Sequence, residues 1–301
     1  MRAVQIDRFG GPEILQVSEV PEPEPQDGEV LVAVTATGIN PVDDKTRQGA
    51  IGEGAPPLPM ILGWDLVGTV VDGGASQWRA GEPVMAMSHQ LSTARGTWAE
   101  LVAIPADLLA PAPAKVDAVQ AATLPLPGLT ALHTLDWLAL SAGQRLLITG
   151  AAGAVGGLAL QIAHARGVRV DALVSRDSQL AFAREQGAQL ATADRADLPD
   201  RAYDAVLDTF GAFVTDAVAD GGRYASIATQ AGPVPDLSAR GVRTTVHQVR
   251  EDGAGLRELS DLVDQGALRP RVDSTFHVDA VRDAHERFAQ GSLRGKVTMT
   301  F

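Results

Sequence analysis

The stretch Arg145-Leu-Leu-Ile-Thr-Gly-Ala-Ala-Gly-Ala-Val-Gly-Gly157 decides the fold of this chain. Its apolar residues 146–148 form a short run that is typical of a buried strand in a parallel sheet. Glycines then recur at intervals of three residues, at Gly150, Gly153 and Gly156. Because glycine has no side chain, this spacing allows a tight turn whose backbone N–H groups approach an anion closely. The stretch therefore predicts a strand followed by a phosphate-binding turn.

The residues after the turn complete a larger unit. Apolar side chains repeat with helical spacing over residues 158–166, and the positive N-terminal end of that helix faces the turn. Residues 167–174 then supply a second strand. Strand, glycine turn, helix and strand in this order form the dinucleotide-binding arrangement, here with G-x-x-G-x-x-G in place of the more frequent G-x-G-x-x-G.

The pattern of the chain changes between its first third and the remainder. Short alternating strands such as 29–36 and 66–71, separated by glycine and proline turns, fill the first third. From Arg145 onward, strands and helices alternate. This order predicts an α/β protein in which an irregular β domain accompanies a doubly wound parallel sheet.

Composition limits the partners of the protein. The chain has 301 residues, 45% of them hydrophobic and 21% charged, with a formal net charge of −12. Since no basic cluster is present, nucleic acid and anionic membranes are excluded as expected partners. No apolar run reaches the roughly 18 residues that span a bilayer, and residues 1–8 do not resemble a signal peptide, so we expect a cytoplasmic protein. The absence of cysteine excludes disulfides and cysteine-ligated metals.

Motifs in a fixed order extend over nearly the whole length of the chain. They are Gly11-Pro-Glu-Ile-Leu15, Gly38-Ile-Asn-Pro-Val-Asp43 with Lys45 and Arg47, Leu62-Gly-Trp-Asp-Leu-Val-Gly68, Gly96-Thr-Trp-Ala-Glu100, Leu126-Pro-Gly-Leu-Thr-Ala131, the glycine turn, Asp208-Thr-Phe-Gly211 and Arg294-Gly-Lys-Val297. Together they resemble the medium-chain dehydrogenase/reductase superfamily, in its zinc-free quinone oxidoreductase branch.

The resemblance implies two domains and an assembly. We expect a GroES-like catalytic domain over residues 1–115 and 268–301, and a Rossmann dinucleotide-binding domain over residues 116–267. A nicotinamide cofactor is implied in the cleft between them. The resemblance also implies a homodimer formed through edge strands of the Rossmann sheets.

Zinc is not expected. By the resemblance, zinc-dependent relatives have a cysteine near position 40 and Gly-His-Glu where this chain has Gly63-Trp64-Asp65. The six histidines show no ligand spacing: His89, His133, His164, His247, His277 and His285. Without three N, S or O ligands and an open fourth position, no catalytic zinc site can form, which disfavours oxidation of alcohols.

The choice between NADH and NADPH depends on the tip of the second strand. Asp171 has the sequence distance expected of a residue that binds the ribose 2′-OH, but it lies inside the strand. The tip is Ser175-Arg176, a hydroxyl and a guanidinium suited to a 2′-phosphate. Because Ser175 and Arg176 suit the 2′-phosphate, we predict NADPH. One contact of the family is missing, since Gln179 occupies the position of a lysine that is frequent there.

The remaining chemistry is direct hydride transfer to a carbon that is conjugated to a carbonyl group. We predict an NADPH-dependent, metal-free reductase of quinones or other α,β-unsaturated carbonyl compounds, whose protein groups position the reactants and donate to the developing oxyanion. Two alternatives remain open: an enoyl reductase that tailors a specialised metabolite, and a weakly catalytic NADPH-binding or sensor protein.

Individual site residues follow mainly from the resemblance. Asn40 is implied beside the nicotinamide and the substrate carbonyl, Trp64 in the wall of the substrate pocket, and Asp43, Lys45 and Asp65 are the nearby proton-donor candidates. The predicted cofactor-binding residues are Asn40, Thr130, Gly150, Gly153, Ala154, Val155, Gly156, Ser175, Arg176, Phe210, Gly211, Ala228, Thr229 and Lys296.

Overall fold

The computed structural model describes residues 1–228 and 230–301. The chain folds into two compact units. Unit 1 contains Met1–Leu126, Arg250–Gly266 and Pro270–Phe301, and unit 2 contains Pro127–Val249 and Ala267–Arg269. Within the described residues, no helix has the length and apolar character needed to cross a membrane.

Strands and helices occur throughout both units. The strands are β1 (Arg2–Ile6), β2 (Gln16–Glu19), β3 (Glu29–Gly38), β4 (Met60–Ile61), β5 (Asp65–Asp72), β6 (Pro83–Met87), β7 (Leu101–Pro105), β8 (Ala110–Pro111), β9 (Arg145–Thr149), β10 (Arg169–Leu173), β11 (Ala191–Thr192), β12 (Tyr203–Asp208), β13 (Val218–Ser226), β14 (Arg243–Val246), β15 (Val272–His277) and β16 (Lys296–Thr300). The α-helices are α1 (Pro41–Gln48), α2 (Gln90–Thr93), α3 (Ala118–Ala121), α4 (Pro125–Leu138), α5 (Ala154–Ala165), α6 (Leu180–Glu185), α7 (Gly253–Asp264) and α8 (Val281–Ala289).

Unit 1 is built on a seven-stranded sheet. Its strand order is β15-β16-β3-β5-β6-β8, with β7 also paired to β3, and β2-β1-β4 form a separate small sheet. The alternating pattern of β3 buries Val30, Val32 and Val34 in one core cluster. Strand β16 runs antiparallel to β3 with Thr298 opposite Gly38. This register places Lys296, at the start of β16, next to the end of β3.

Unit 2 is a parallel six-stranded sheet in the order β11-β10-β9-β12-β13-β14. The apolar residues Leu146, Leu147 and Ile148 of β9 are fully buried at its centre. Strand order reverses between β9 and β12, which is the point where ligands bind in open α/β sheets. The predicted α/β fold, with a GroES-like β domain and a Rossmann sheet, is confirmed.

The two units differ in their boundaries from the domains predicted above. Residues 116–126 and 250–266, predicted in the Rossmann domain, group with unit 1, and residues 268–269, predicted in the GroES-like domain, group with unit 2. For the second segment the reason is local packing. Helix α7 packs on β8, and the Asp264 carboxylate accepts hydrogen bonds from the backbone N–H groups of Ala114 (3.2 Å) and Lys115 (3.0 Å).

Candidate functional site

The glycine turn of unit 2 has the geometry that its sequence predicts. Gly150 has φ +63°, in the left-handed region that favours glycine. Gly153 is the N-cap of α5. A Cβ on Gly156 would lie 2.9 Å from Ala151 Cα and closer still to the carbonyl oxygen of Gly150. Helix α5 therefore approaches the turn as closely as it does only because Gly156 has no side chain.

The N-terminus of α5 is open to an anion. Gly153 and Ala154 are exposed, and no side chain of the described residues caps the helix. The first intrahelical bond is donated by Gly157 N–H to Gly153 (2.9 Å), so the N–H groups of Ala154, Val155 and Gly156 precede the helical ladder. Backbone donors and the helix dipole together favour a phosphate group here. These residues fit the diphosphate of a dinucleotide.

Asp208, at the end of β12, organises the loop beside the glycine turn. Its fully buried carboxylate accepts hydrogen bonds from the Thr149 hydroxyl (2.6 Å) and the Tyr224 hydroxyl (2.6 Å). It also accepts four backbone N–H groups, those of Phe210, Gly211, Ala212 and Phe213. Burial opposes ionisation, but these hydrogen bonds hold the pKa of Asp208 below its usual value.

The loop that Asp208 holds presents an aromatic ring to solvent. Phe210 is 71% exposed, and Gly211 has φ +83°. The Thr209 hydroxyl donates to the carbonyl oxygen of Thr149 (2.7 Å), which fixes this loop against the glycine turn. Of the predicted residues at the end of β13, Ala228 is buried, and Thr229 lies outside the described residues.

Asp171 is occupied inside the sheet of unit 2. Its carboxylate accepts hydrogen bonds from Arg145 (2.8 Å), the Tyr203 hydroxyl (3.0 Å) and Leu190 N–H (3.0 Å), and the residue is 3% exposed. Asp171 lies inside β10, as its place in the sequence predicts. At the strand tip, the exposed Ser175 donates its hydroxyl to Gln179 Oε1 (3.1 Å), and the exposed Arg176 begins a 3₁₀ turn.

A second group of polar residues lies in unit 1, at the start of α1. Asn40 and Asp43 form the capping box of this helix, and Asn40 N–H donates to Asp43 Oδ2 (2.7 Å). The Asn40 side chain is 2% exposed; its Nδ2 donates to Asp65 Oδ2 (2.7 Å), and its Oδ1 accepts from Lys296 Nζ (2.7 Å). Lys296 also forms an ion pair with Asp65. We call Asn40, Asp43, Asp65 and Lys296 the Asn40 cluster.

Hydrogen bonds hold both the side chain and the backbone carbonyl of Asp65 in the Asn40 cluster. It is fully buried at the start of β5, and its Oδ1 accepts Leu126 N–H (2.6 Å). Its backbone carbonyl accepts the hydroxyl groups of Thr37 and Thr97. Both ends of the residue are thus held, which assigns Asp65 the role of an acceptor for Asn40 and Lys296.

Asp43 adds a second carboxyl group to the cluster. Burial, opposed by the hydrogen bond from Asn40 N–H and strengthened by the nearby charge of Asp65, raises the pKa of Asp43 to about 8. Its Oδ1 is buried and has no hydrogen-bond partner among the described residues. With Lys296 and Asp65 neutralising each other, a neutral Asp43 leaves the buried cluster without net charge.

Trp64 is buried next to the cluster and packs on His89, with ring centroids 4.5 Å apart. Its indole N–H has no partner among the described residues. Lys45 is half-buried on α1, and Thr130 is buried on α4. Within the described part of the chain, no three His, Cys, Asp or Glu residues are grouped as metal ligands would be.

Sequence reasoning names most of these residues but not how they connect. Lys296, which is predicted to contact the cofactor, is 4% exposed and bonded to Asp65 and Asn40 in the structure. For Asp208, the sequence indicates only an acidic strand end. The signal available for it is its place in the Asp208-Thr-Phe-Gly211 motif.

Comparisons with known proteins agree with this architecture. Residues 26–114 match the family model described as alcohol dehydrogenase GroES-like domain, and residues 181–298 match the one described as zinc-binding dehydrogenase. An NADPH-dependent alkenal/one oxidoreductase, chloroplastic, from Arabidopsis thaliana is 32% identical over 315 residues, which cover 99% of this chain and 79% of the relative.

Two solved structures are similar over their whole length. The quinone oxidoreductase from Coxiella burnetii has a TM-score of 0.89 at 29% identity, covering 100% of this chain and 99% of that one. A mycobacterial protein complexed with NADPH has a TM-score of 0.85 at 27% identity, covering 100% of both chains.

Proposed function

The chain belongs to the medium-chain dehydrogenase/reductase superfamily, in its quinone oxidoreductase branch, and from this premise we propose that it is an NADPH-dependent reductase of quinones or other α,β-unsaturated carbonyl compounds. The observation that carries the proposal is the Asn40 carboxamide. It is buried, and Lys296 and Asp65 hold its oxygen and one of its N–H groups. A preorganised neutral donor of this kind suits an oxygen on which negative charge develops.

The residues of unit 2 fit the cofactor. NADPH supplies the hydride when it is bound. The backbone N–H groups at Ala154, Val155 and Gly156 bind its diphosphate, and Arg176 with Ser175 binds the 2′-phosphate. The loop that Asp208 holds, with Phe210 and Gly211, flanks the diphosphate site, and Thr130 and Ala228 complete the predicted set together with Thr229.

The residues of unit 1 fit the substrate. Asn40 donates to the carbonyl oxygen, which stabilises the enolate or hydroquinone anion as the hydride adds. Trp64 forms a wall of the substrate site, and the proton is taken from water, Lys45 or Asp43. Asp65 is set aside as the donor because both of its carboxylate oxygens already accept hydrogen bonds. The positions that hold zinc in metal-dependent relatives are Asn40 and Trp64 here, and the chain has no cysteine, so the residues present do not fit a catalytic zinc.

The activity is tested by following NADPH oxidation against ortho- and para-quinones, enones and enoyl thioesters. We expect turnover with at least one of these classes. Enoyl thioesters reduced in preference to the others would favour the enoyl reductase that tailors a specialised metabolite. NADPH binding without turnover anywhere in the panel would contradict the enzymatic proposal.

One observation favours the alternative of a weakly catalytic NADPH-binding protein. The only two tyrosines of the chain are fully buried, Tyr203 on Asp171 and Tyr224 on Asp208. Burial and the neighbouring carboxylates raise the pKa of both phenols. No tyrosine is therefore available to protonate a substrate, and a binding role remains the second candidate.

We also propose that the protein forms a homodimer through the β14 edge of the Rossmann sheet. Strand β14 is an end strand with one free edge, most of its residues are exposed, and Val246 is 41% exposed. Light scattering at micromolar concentration should give the mass of a dimer. A monomer mass would contradict this assembly without affecting the fold.

A further inference from the structure

The contacts of the Asn40 carboxamide fix which of its ends is the oxygen. An ammonium group has donors and no acceptor, and an ionised carboxylate has acceptors and no donor. Lys296 Nζ therefore requires the oxygen of Asn40, and Asp65 Oδ2 requires the nitrogen. The reversed carboxamide would place oxygen against carboxylate and N–H against ammonium. The orientation of Asn40 is thus determined from two sides.

The fixed orientation has a chemical consequence. An amide nitrogen has two N–H groups, and Asp65 accepts one of them. The second N–H is the donor that the Asn40 side chain can turn to a ligand. A reversed carboxamide would offer an oxygen instead, which repels a developing oxyanion.

We infer that Lys296 is a positioning residue for the reduction: together with Asp65 it holds the Asn40 carboxamide in the orientation that offers an N–H to the substrate oxygen. The inference rests on the proposed function. It differs from the cofactor contact that the resemblance implies for Lys296, because the ammonium group is already bonded to Asn40 and Asp65. Lys296 acts through Asn40 and does not contact the substrate.

The backbone of unit 1 makes room for this arrangement. A Cβ on Gly38 would lie 2.5 Å from Lys296 Cε, 2.9 Å from Lys296 Nζ and 3.0 Å from the carbonyl oxygen of Ala122. The lysine side chain therefore passes directly over a residue that has no side chain. The charged and titratable groups that face it are Asp65 and, more distantly, Asp43.

Steady-state kinetics of three variants test the inference. Lys296→Met should lower kcat at least about tenfold, with little change in the KM for NADPH, because only the oxyanion donor is disturbed. Lys296→Arg should remain within about threefold of the wild type, because a guanidinium group also only donates. An unchanged kcat in Lys296→Met would overturn the inference.

The double variant Lys296→Met/Asp65→Asn separates orientation from charge balance. It removes both charges, so the unfolding temperature should recover relative to Lys296→Met alone. The oxygen of the new Asn side chain stays on Leu126 N–H, which turns its amino group toward Asn40 and reverses the Asn40 carboxamide. We expect kcat to stay low. Recovery of kcat together with stability would show that Lys296 only neutralises Asp65 and would overturn the inference.

A readout without turnover distinguishes this result from failure of the proposed function. In ¹⁵N–¹H spectra of the resting wild-type protein, one side-chain N–H of Asn40 should be shifted and protected from exchange by Asp65. In the double variant this pattern should be lost. Unchanged Asn40 signals would overturn the inference, whereas wild-type protein that binds NADPH but reduces no conjugated carbonyl would overturn only the proposed function.

Discussion

The Asn40 cluster and the glycine turn position their hydrogen-bond donors in opposite ways. In the cluster, charged side chains from distant parts of the sequence fix one carboxamide, and the proposed donor is a side-chain N–H. At the turn, the donors are backbone N–H groups, and what shapes them is the lack of side chains at Gly150 and Gly156. The comparison shows that the Asn40 cluster depends on the chemical identity of its side chains, whereas the glycine turn depends on the small volume of its residues. Substitutions can test each property separately.

The largest effect is expected from removing the donor of the cluster. Asn40→Ala should lower kcat about a hundredfold or more, some 2.7 kcal/mol or above, while NADPH still binds. Asp65→Asn, in which Lys296 still directs the oxygen of Asn40, should do less. The kinetics of both variants with the best substrate provide the measurement. Full kcat in Asn40→Ala would contradict the assignment of the oxyanion donor.

The volume requirement of the turn is tested with two neighbouring glycines of α5. A Cβ on Gly156 meets the backbone of residues 150 and 151, whereas a Cβ on Gly157 meets nothing closer than 3.5 Å. Gly156→Ala should weaken NADPH binding, because relief of overpacking that costs about 1–3 kcal/mol moves α5 away from the turn. Gly157→Ala should leave the affinity nearly unchanged. Calorimetric titration measures both. Equal affinities of the two variants would show that the close approach of α5 is not needed.

The cluster should also make stability depend on pH. Because the pKa of Asp43 is raised from 3.8 to about 8, the folded state binds this proton more tightly than the unfolded chain. The stabilisation is fully present below about pH 4 and is lost as the pH rises toward 8, by up to about 1.4 kcal/mol per pH unit. Asp43→Asn keeps an acceptor for Asn40 N–H without the titration.

Chemical denaturation of both proteins across this pH range measures the effect. The difference in free energy of unfolding between wild type and Asp43→Asn should decrease steadily with rising pH. Other titrating groups, such as His285, cancel in this difference. A constant difference would mean that Asp43 is ionised throughout.

In unit 2, the surface charge of Arg176 should determine the preference for NADPH over NADH and have little other effect. NADPH should bind at least about tenfold tighter than NADH, or 1.4 kcal/mol, with Arg176 supplying much of the difference. Arg176→Ala should remove most of the preference and leave NADH binding nearly unchanged. Equal affinities of the unmodified protein for both cofactors would refute the role of Arg176.

The smallest effect is expected from removing metal ions, which should not change kcat. If the Asn40 cluster performs the function of an electrophile without a metal, dialysis against EDTA should leave kcat unchanged. Loss of activity on chelation and its return with zinc would contradict the metal-free mechanism.

Sequence alone predicts the local features of both regions and misses the long-range ones. The turn of Gly150 and Gly156 is predictable because strand, glycines and helix are contiguous. The Lys296–Asp65 pair is not, since the two residues are 231 positions apart and no local pattern connects them. Strand β14, with most of its residues exposed, also lacks the apolar signal of a buried strand.

Element ends deviate for local reasons. The apolar spacing of residues 278–290 is typical of an amphipathic helix, but in the structure Val278–Ala280 form a 3₁₀ turn and α8 follows from Val281. Such 3₁₀ turns are frequent at the start of α-helices, and the hydrophobic spacing of the sequence does not indicate them. The existence of the helix is predictable, but its first residues are not.

The position of Lys296 has a consequence for folding. Strand β16 lies inside the sheet of unit 1, between β15 and β3. Because Lys296 and Asn40 are 256 positions apart in the sequence, their contact closes a long loop of chain. Contacts between residues that are distant in sequence form more slowly than local ones. We therefore expect the Asn40 cluster to be completed late in folding, after the pairing of β5 with β6.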